Sequence, residues 1–96
     1  MVTRKGVLNL ISKKYSYNML KTLEKSPKRF GELSEVCEGE KMRSQRLREF
    51  EEFDLLNIKV KRIGRRAISL YALSEKGKET LRLAEDINRL HEKKNS

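Results

Sequence analysis

GEKMRSQRLREFEEF, residues 39–53, is the stretch from which the fold is read. At about 100° per residue, Lys41, Ser44, Gln45 and Arg48 fall within one sector, while Met42, Leu47, Phe50 and Phe53 gather on the opposite side. The pattern predicts an amphipathic helix with a polar face over an apolar one. After Glu40, charge is also ordered along its axis: Lys41, Arg43, Arg46 and Arg48 come first, then Glu49, Glu51, Glu52 and Asp54. The macrodipole of an isolated helix favours the reverse order, so something outside the helix must favour cations at its start. A DNA duplex does, because a recognition helix presents its N-terminal residues to base edges and phosphates in the major groove. Arg43 and Arg46 fall by angle in the apolar sector. Either their stems lie along the core while the guanidinium heads reach solvent or phosphate, or they pair with acids of the neighbouring helix such as Glu32 or Glu35. The competing reading of the whole stretch is a solvated surface helix laced with i,i+4 ion pairs.

The flanking sequence supplies the parts such a helix needs. Upstream, Gly31 to Cys37 reads as a brief helix with Leu33 and Val36 inward, and Cys37-Glu38-Gly39 as a turn whose glycine opens the next helix. Before it, Leu8, Ile11, Tyr15, Met19, Leu20 and Leu23 recur at three- and four-residue spacing, predicting one helix or two short ones from about Val7 to Lys25. Ser16 is placed to cap the second part, and Pro27 to stop it. Lys28, Arg29 and Phe30 read as a short extended piece.

Downstream, the period changes from helix to strand. Ile58 and Val60 alternate with Lys59 and Lys61, and Ile68, Leu70 and Ala72 with Ser69 and Tyr71, on either side of Ile63-Gly64-Arg65-Arg66. This predicts a β-hairpin. Residues 55–73 carry five basic side chains and no acidic one, and Lys61, Arg62, Arg65 and Arg66 are expected at the tip and outer face, suited to phosphate or minor-groove contact. Edge-strand protection is the alternative use of such charges. Ser74 is placed to cap a final helix in which Leu83, Ile87 and Leu90 follow a four-three spacing, supported by Leu81 and Ala84. That stripe is expected either to form a homodimer interface with Leu8 and Ile11 of the first helix or to pack on the chain's own core. His91, Lys93 and Lys94 suit the helix C-terminus.

Ninety-six residues with 36% hydrophobic content predict a single domain, residues 1–96, with one modest core that dimerisation would extend. Residues 74–96 are the expected dimerisation helix. A formal charge of +9 points to a polyanionic partner, and nucleic acid is the commonest. A membrane surface is the rival, disfavoured because no apolar run approaches the ~18 residues of a span and no basic helix carries bulky anchors. No export signal is legible, so the expected location is the cytoplasm. One cysteine and one histidine close neither a disulfide nor a structural zinc site, and no metal or cofactor is expected. No catalytic residues are assigned: His91 has no nucleophile or metal partner, and no glycine loop cradles phosphate.

Four pieces, Lys28-Arg29-Phe30-Gly31-Glu32-Leu33, Lys41-Met42 with Ser44-Gln45-Arg46-Leu47-Arg48-Glu49, Leu55-Leu56, and Tyr71-Ala72-Leu73-Ser74-Glu75-Lys76-Gly77, resemble the HxlR-type winged-helix regulators, relatives of the MarR and ArsR groups. The resemblance covers roughly residues 15 to 90. It implies a mainly α fold with a small β-hairpin, an α+β winged helix-turn-helix, and a homodimeric regulator bound to pseudo-palindromic double-stranded DNA on a prokaryotic or archaeal nucleoid. The expected DNA-facing set is Lys41, Arg43, Ser44, Gln45, Arg46 and Arg48 on the helix and Lys61, Arg62, Arg65 and Arg66 on the wing, with Ser44, Gln45 and Arg48 reading bases. The chain departs from the family at Tyr15, usually tryptophan, at Arg43, usually apolar, and at Asp54, usually glycine. Some relatives sense oxidants through cysteine, whereas a lone cysteine by a short helix is ordinarily a small buried apolar group; both readings apply to Cys37. Any small-molecule effector would sit at the dimer interface. The alternatives to a sequence-specific regulator are an architectural DNA-binding protein and a winged helix used for protein interaction.

Overall fold

The computed structural model describes residues 6–94, with side chains through Glu92. The side chains of Lys93 and Lys94, and residues 1–5 and 95–96 of the expected domain, lie outside the described residues. The order is α1 (Val7–Ser12), α2 (Ser16–Lys25), a 3-10 helix (Gly31–Glu35), α3 (Glu40–Glu52), β1 (Leu56–Ile63), β2 (Arg66–Leu73) and α4 (Glu75–Lys94). This is the expected α+β winged-helix arrangement, and the first predicted segment resolves into two helices. Leu10, Met19, Leu20, Leu23, Leu33, Leu47, Phe50, Leu55 and Leu81 form the core with Cys37. Full burial of each large apolar side chain contributes about 1.5–3 kcal/mol.

Three junctions set the angles between these elements. Tyr15 takes a left-handed conformation, φ 74°, and its carbonyl accepts the Met19 N–H, so Tyr15 rather than Ser16 occupies the N-cap of α2. Ser16 is instead fully buried, and its Oγ has no hydrogen-bond partner. The expected cap fails because the left-handed turn at Tyr15 carries Ser16 into the helix. At the end of α3, the Leu55 N–H donates to Phe50 O (3.0 Å) and the Asp54 N–H to Glu51 O (2.9 Å), with Asp54 at φ 61°. This pair of bonds is the Schellman motif, which places a left-handed residue where glycine is commonest. The third junction opens α4: the Gly77 N–H donates to Ser74 Oγ (2.9 Å), and the Ser74 hydroxyl donates to Asp54 O (2.7 Å). Ser74 therefore caps α4 as expected and ties it to the end of α3.

The two strands pair antiparallel from Leu56↔Leu73 to Ile63↔Arg66. Gly64 supplies φ +63° at the first of two turn residues, as a type II′ hairpin turn requires. The expected extended piece appears as one bridge, in which Lys28 and Tyr71 exchange backbone hydrogen bonds of 2.9 and 2.7 Å. Side chains directly opposite in a ladder share a face, so Ile58 and Val60 lie with Tyr71 and Ser69, while Ile68 and Leu70 lie with Lys61 and Lys59. The apolar alternations of the two strands thus fall on opposite faces. Only the base of the hairpin, at Leu56, Ala72 and Leu73, is buried, and its outer half projects into solvent.

Candidate nucleic-acid interface

Along α3 the polar sector is open. Lys41, Gln45 and Arg48 are exposed and Ser44 is half-buried. Together with Phe30 and Glu40 they line one cleft of about 550 Å³. The cleft combines two cations with hydroxyl and amide groups, which hydrogen-bond base edges as both donors and acceptors. It ends at Arg48, leaving the acids Glu51 and Glu52 beyond it, exposed at the far end of the helix.

Arg43 and Arg46 do not belong to this surface, which corrects their expected place in the DNA-facing set. Each is only 4% exposed. Arg43 donates from Nε to Cys37 O (2.9 Å), from Nη2 to Glu38 O (2.7 Å) and from Nη1 to Phe30 O (3.4 Å), and its guanidinium stacks over the Phe30 ring at 4.6 Å. Arg46 donates from Nε to Lys14 O (3.3 Å), from Nη1 to Glu49 Oε1 (2.6 Å) and from Nη2 to Met42 Sδ (3.1 Å). Neither pairs with Glu32 or Glu35, and neither head escapes to solvent. The reason is hydrogen-bond supply: the turn before α3 and the junction before α2 present inward carbonyls that a planar five-donor head can satisfy. Met42, expected in the apolar sector, is displaced outward to 37% exposure.

Glu49 completes the clasp around Arg46 and also takes an ion pair from Lys13 Nζ at 3.0 Å. Burial raises its pKa, but hydrogen bonds from Lys13 and Arg46 outweigh that and hold the carboxyl below its ordinary value. The α1–α2 junction is therefore tied by charge to the middle of α3.

On the hairpin, Lys61, Arg62, Arg65 and Arg66 are all exposed. They do not collect on one outer face: Lys61 and Arg66 share a face, and Arg62, opposite Ala67, is on the other. The cations straddle the tip because it projects clear of the body, leaving both faces wet. Lys59, absent from the expected set, is exposed on the same face as Lys61; period-two alternation was the signal that pointed to it. Phe30 and Glu40, also missed, reach the cleft from outside the polar sector.

The expected interface residues line a separate surface. Leu8, Leu83, Ile87 and Leu90 are 65, 49, 45 and 66% exposed, and with Val7, half-buried Ile11 and Ala84 they border an apolar groove of about 420 Å³ between α1 and α4. Cys37, by contrast, is fully buried in the core, packed as a small apolar side chain. Among the described residues no helix is long and apolar enough to cross a membrane.

The model of the HxlR-like helix-turn-helix family matches residues 10–95. No curated protein matches the chain. Among solved structures it is similar to the diamide-treated YodB from B. subtilis, with a TM-score of 0.80, 24% identity and coverage of 91% of this chain and 87% of that one. The reduced form of the transcriptional regulator YodB from B. subtilis aligns with a TM-score of 0.76 and 25% identity over 86% and 82% of the two chains. A MarR-family transcriptional regulator structure from Enterococcus faecalis V583 aligns with a TM-score of 0.78 and 21% identity over 97% and 91%.

Proposed function

The chain belongs to the HxlR-like helix-turn-helix family, DNA-binding regulators of transcription, and from that premise we propose that it acts as a homodimer reading a specific double-stranded DNA sequence. The observation that carries this reading is the cleft on α3, where Lys41, Ser44, Gln45 and Arg48 converge. In this function α3 enters the major groove with those four residues against base edges and nearby phosphates, and Lys59, Lys61, Arg62, Arg65 and Arg66 hold the backbone or minor groove on either side of the hairpin. The dimer forms through Leu8, Ile11, Leu83, Ile87 and Leu90, and the exposure of the four leucine and isoleucine side chains other than half-buried Ile11 supports a second copy as their cover. Residues 1–96 act as one DNA-binding domain, with the segment 74–96 as its dimerisation arm, on cytoplasmic DNA.

Selection of bound sequences from a random duplex pool tests the reading. An enriched inverted repeat is the expected result, because two-fold symmetric proteins bind pseudo-palindromic sites. Retention without enrichment would replace it with an architectural role, and no retention with a protein-interaction module.

A further inference from the structure

Arg43 is a buried cation without a buried anion. Among the described residues no carboxylate lies within ion-pairing distance of it, and its head is satisfied only by three backbone carbonyls and the face of Phe30. Those carbonyls are not scattered. Cys37 and Glu38 form the turn that delivers the chain into α3, and Phe30 precedes the 3-10 helix on the other side of that turn. Gly39, the N-cap of α3, makes no side-chain cap. No side chain caps the start of α3, and the arginine reaching back from its first turn joins the pieces. Its stacking partner, Phe30, is also a wall of the cleft that holds Ser44, Gln45 and Arg48.

We propose that Arg43 is a positioning residue: through the carbonyls of Phe30, Cys37 and Glu38 it fixes the angle at which α3 leaves the turn, and thereby the base discrimination exerted by Ser44, Gln45 and Arg48. This rests on the base-reading function proposed above. The physical requirement is the guanidinium fork. A planar head with donors in fixed directions holds three acceptors at once, which an ammonium group on a flexible stem does not. Without the fork α3 rocks against the turn, and hydrogen bonds to base edges, which are steep in distance and angle, are averaged away. Phosphate attraction falls off slowly with distance and is kept.

The test compares the wild type with Arg43→Leu and Arg43→Lys, each at a temperature where circular dichroism shows it fully folded. Binding is measured to a duplex selected by the wild type and to a random duplex. The ratio of the two affinities should fall about tenfold or more, the size of one good base contact, while random-duplex affinity and its salt slope, set by phosphate contacts, change by less than about threefold. Gln45→Ala, which lowers the ratio in the wild type, should have little further effect in either Arg43 background, because a misaimed amide has no contact left to lose. A purely structural arginine would lower the melting temperature and leave the ratio and the Gln45 effect intact, and that result overturns the proposal. So does a parallel fall in both affinities. A wild-type ratio of one would overturn base reading itself, a failure distinct from a high ratio that survives both substitutions.

Discussion

Gly77 lies directly against the carbonyl oxygen of Leu55: a β-carbon on residue 77 would stand 2.2 Å from that oxygen and 3.1 Å from its carbon. The same oxygen accepts the Ser74 N–H at 2.9 Å, so it cannot swing away without losing a hydrogen bond. Alanine in place of glycine inside a helix ordinarily gains about 0.5–1 kcal/mol. Here the collision with backbone reverses the sign, and Gly77→Ala should destabilise by about 3 kcal/mol, the upper end of overpacking costs. Chemical denaturation measures it, and an unchanged or raised midpoint would contradict the packing of α4 on the β1 entry.

Ser16 predicts the opposite behaviour. Its buried Oγ lacks a partner, and an unsatisfied polar group costs about 1–3 kcal/mol. Ser16→Ala should therefore stabilise by about 1 kcal/mol, raising the melting temperature by roughly 4–8 °C for a domain of this size. A lowered melting temperature would mean that the hydroxyl is bonded after all.

Stability should also fall on the acid side in part through Glu49. Its folded pKa is below the ordinary 4.5, so the ionised form favours folding above that value, and the contribution is lost as pH falls through the lower folded pKa. Glu49→Gln should reduce stability at neutral pH and flatten the acid-side decline, without abolishing it, since Glu85, held down mainly by the hydrogen bond from Lys21, titrates in the same direction. Melting temperature followed from pH 7 downward decides this, and parallel curves for the two proteins would remove Glu49 from the account.

For DNA binding, a dimer neutralising on the order of 6–10 phosphates should show a log-log salt slope of roughly −5 to −9. Arg65→Ala with Arg66→Ala should weaken binding to all duplexes by similar factors. Gln45→Ala or Arg48→Ala should instead lower discrimination by about 1–3 kcal/mol per lost base contact. Titrations on matched and mismatched duplexes separate these effects, and a wing change that alters sequence preference would reverse the assigned roles.

Leu83→Asp with Ile87→Asp should yield monomers by sedimentation, since each buried apolar side chain contributes about 1.5–3 kcal/mol and counts twice across a two-fold axis. The monomer should lose high affinity yet keep weak, salt-sensitive binding to any duplex. A variant that stays dimeric and tightly bound would place the interface away from α4.

What the sequence determined by itself were the features with a local period: the polar sector of α3, the switch to strand alternation after Asp54, the apolar stripe of α4, and the cap at Ser74. Each depends on residues two to four apart, and their order along the chain was enough for the winged-helix arrangement. Tertiary structure decided which side chains turn inward where the period is ambiguous. Met42 and Arg43 are adjacent on α3 and both fall by angle in its apolar sector, where polarity favours burying the methionine; the arginine is buried because the carbonyls of Phe30, Cys37 and Glu38 await its donors. Strand register separated Lys61 from Arg62 and set the apolar residues of β1 and β2 on opposite faces, since pairing is a relation between strands that neither strand carries alone. The contact of Gly77 with Leu55 joins backbone segments from different elements, and no local pattern encodes a close approach that exists only once both have packed.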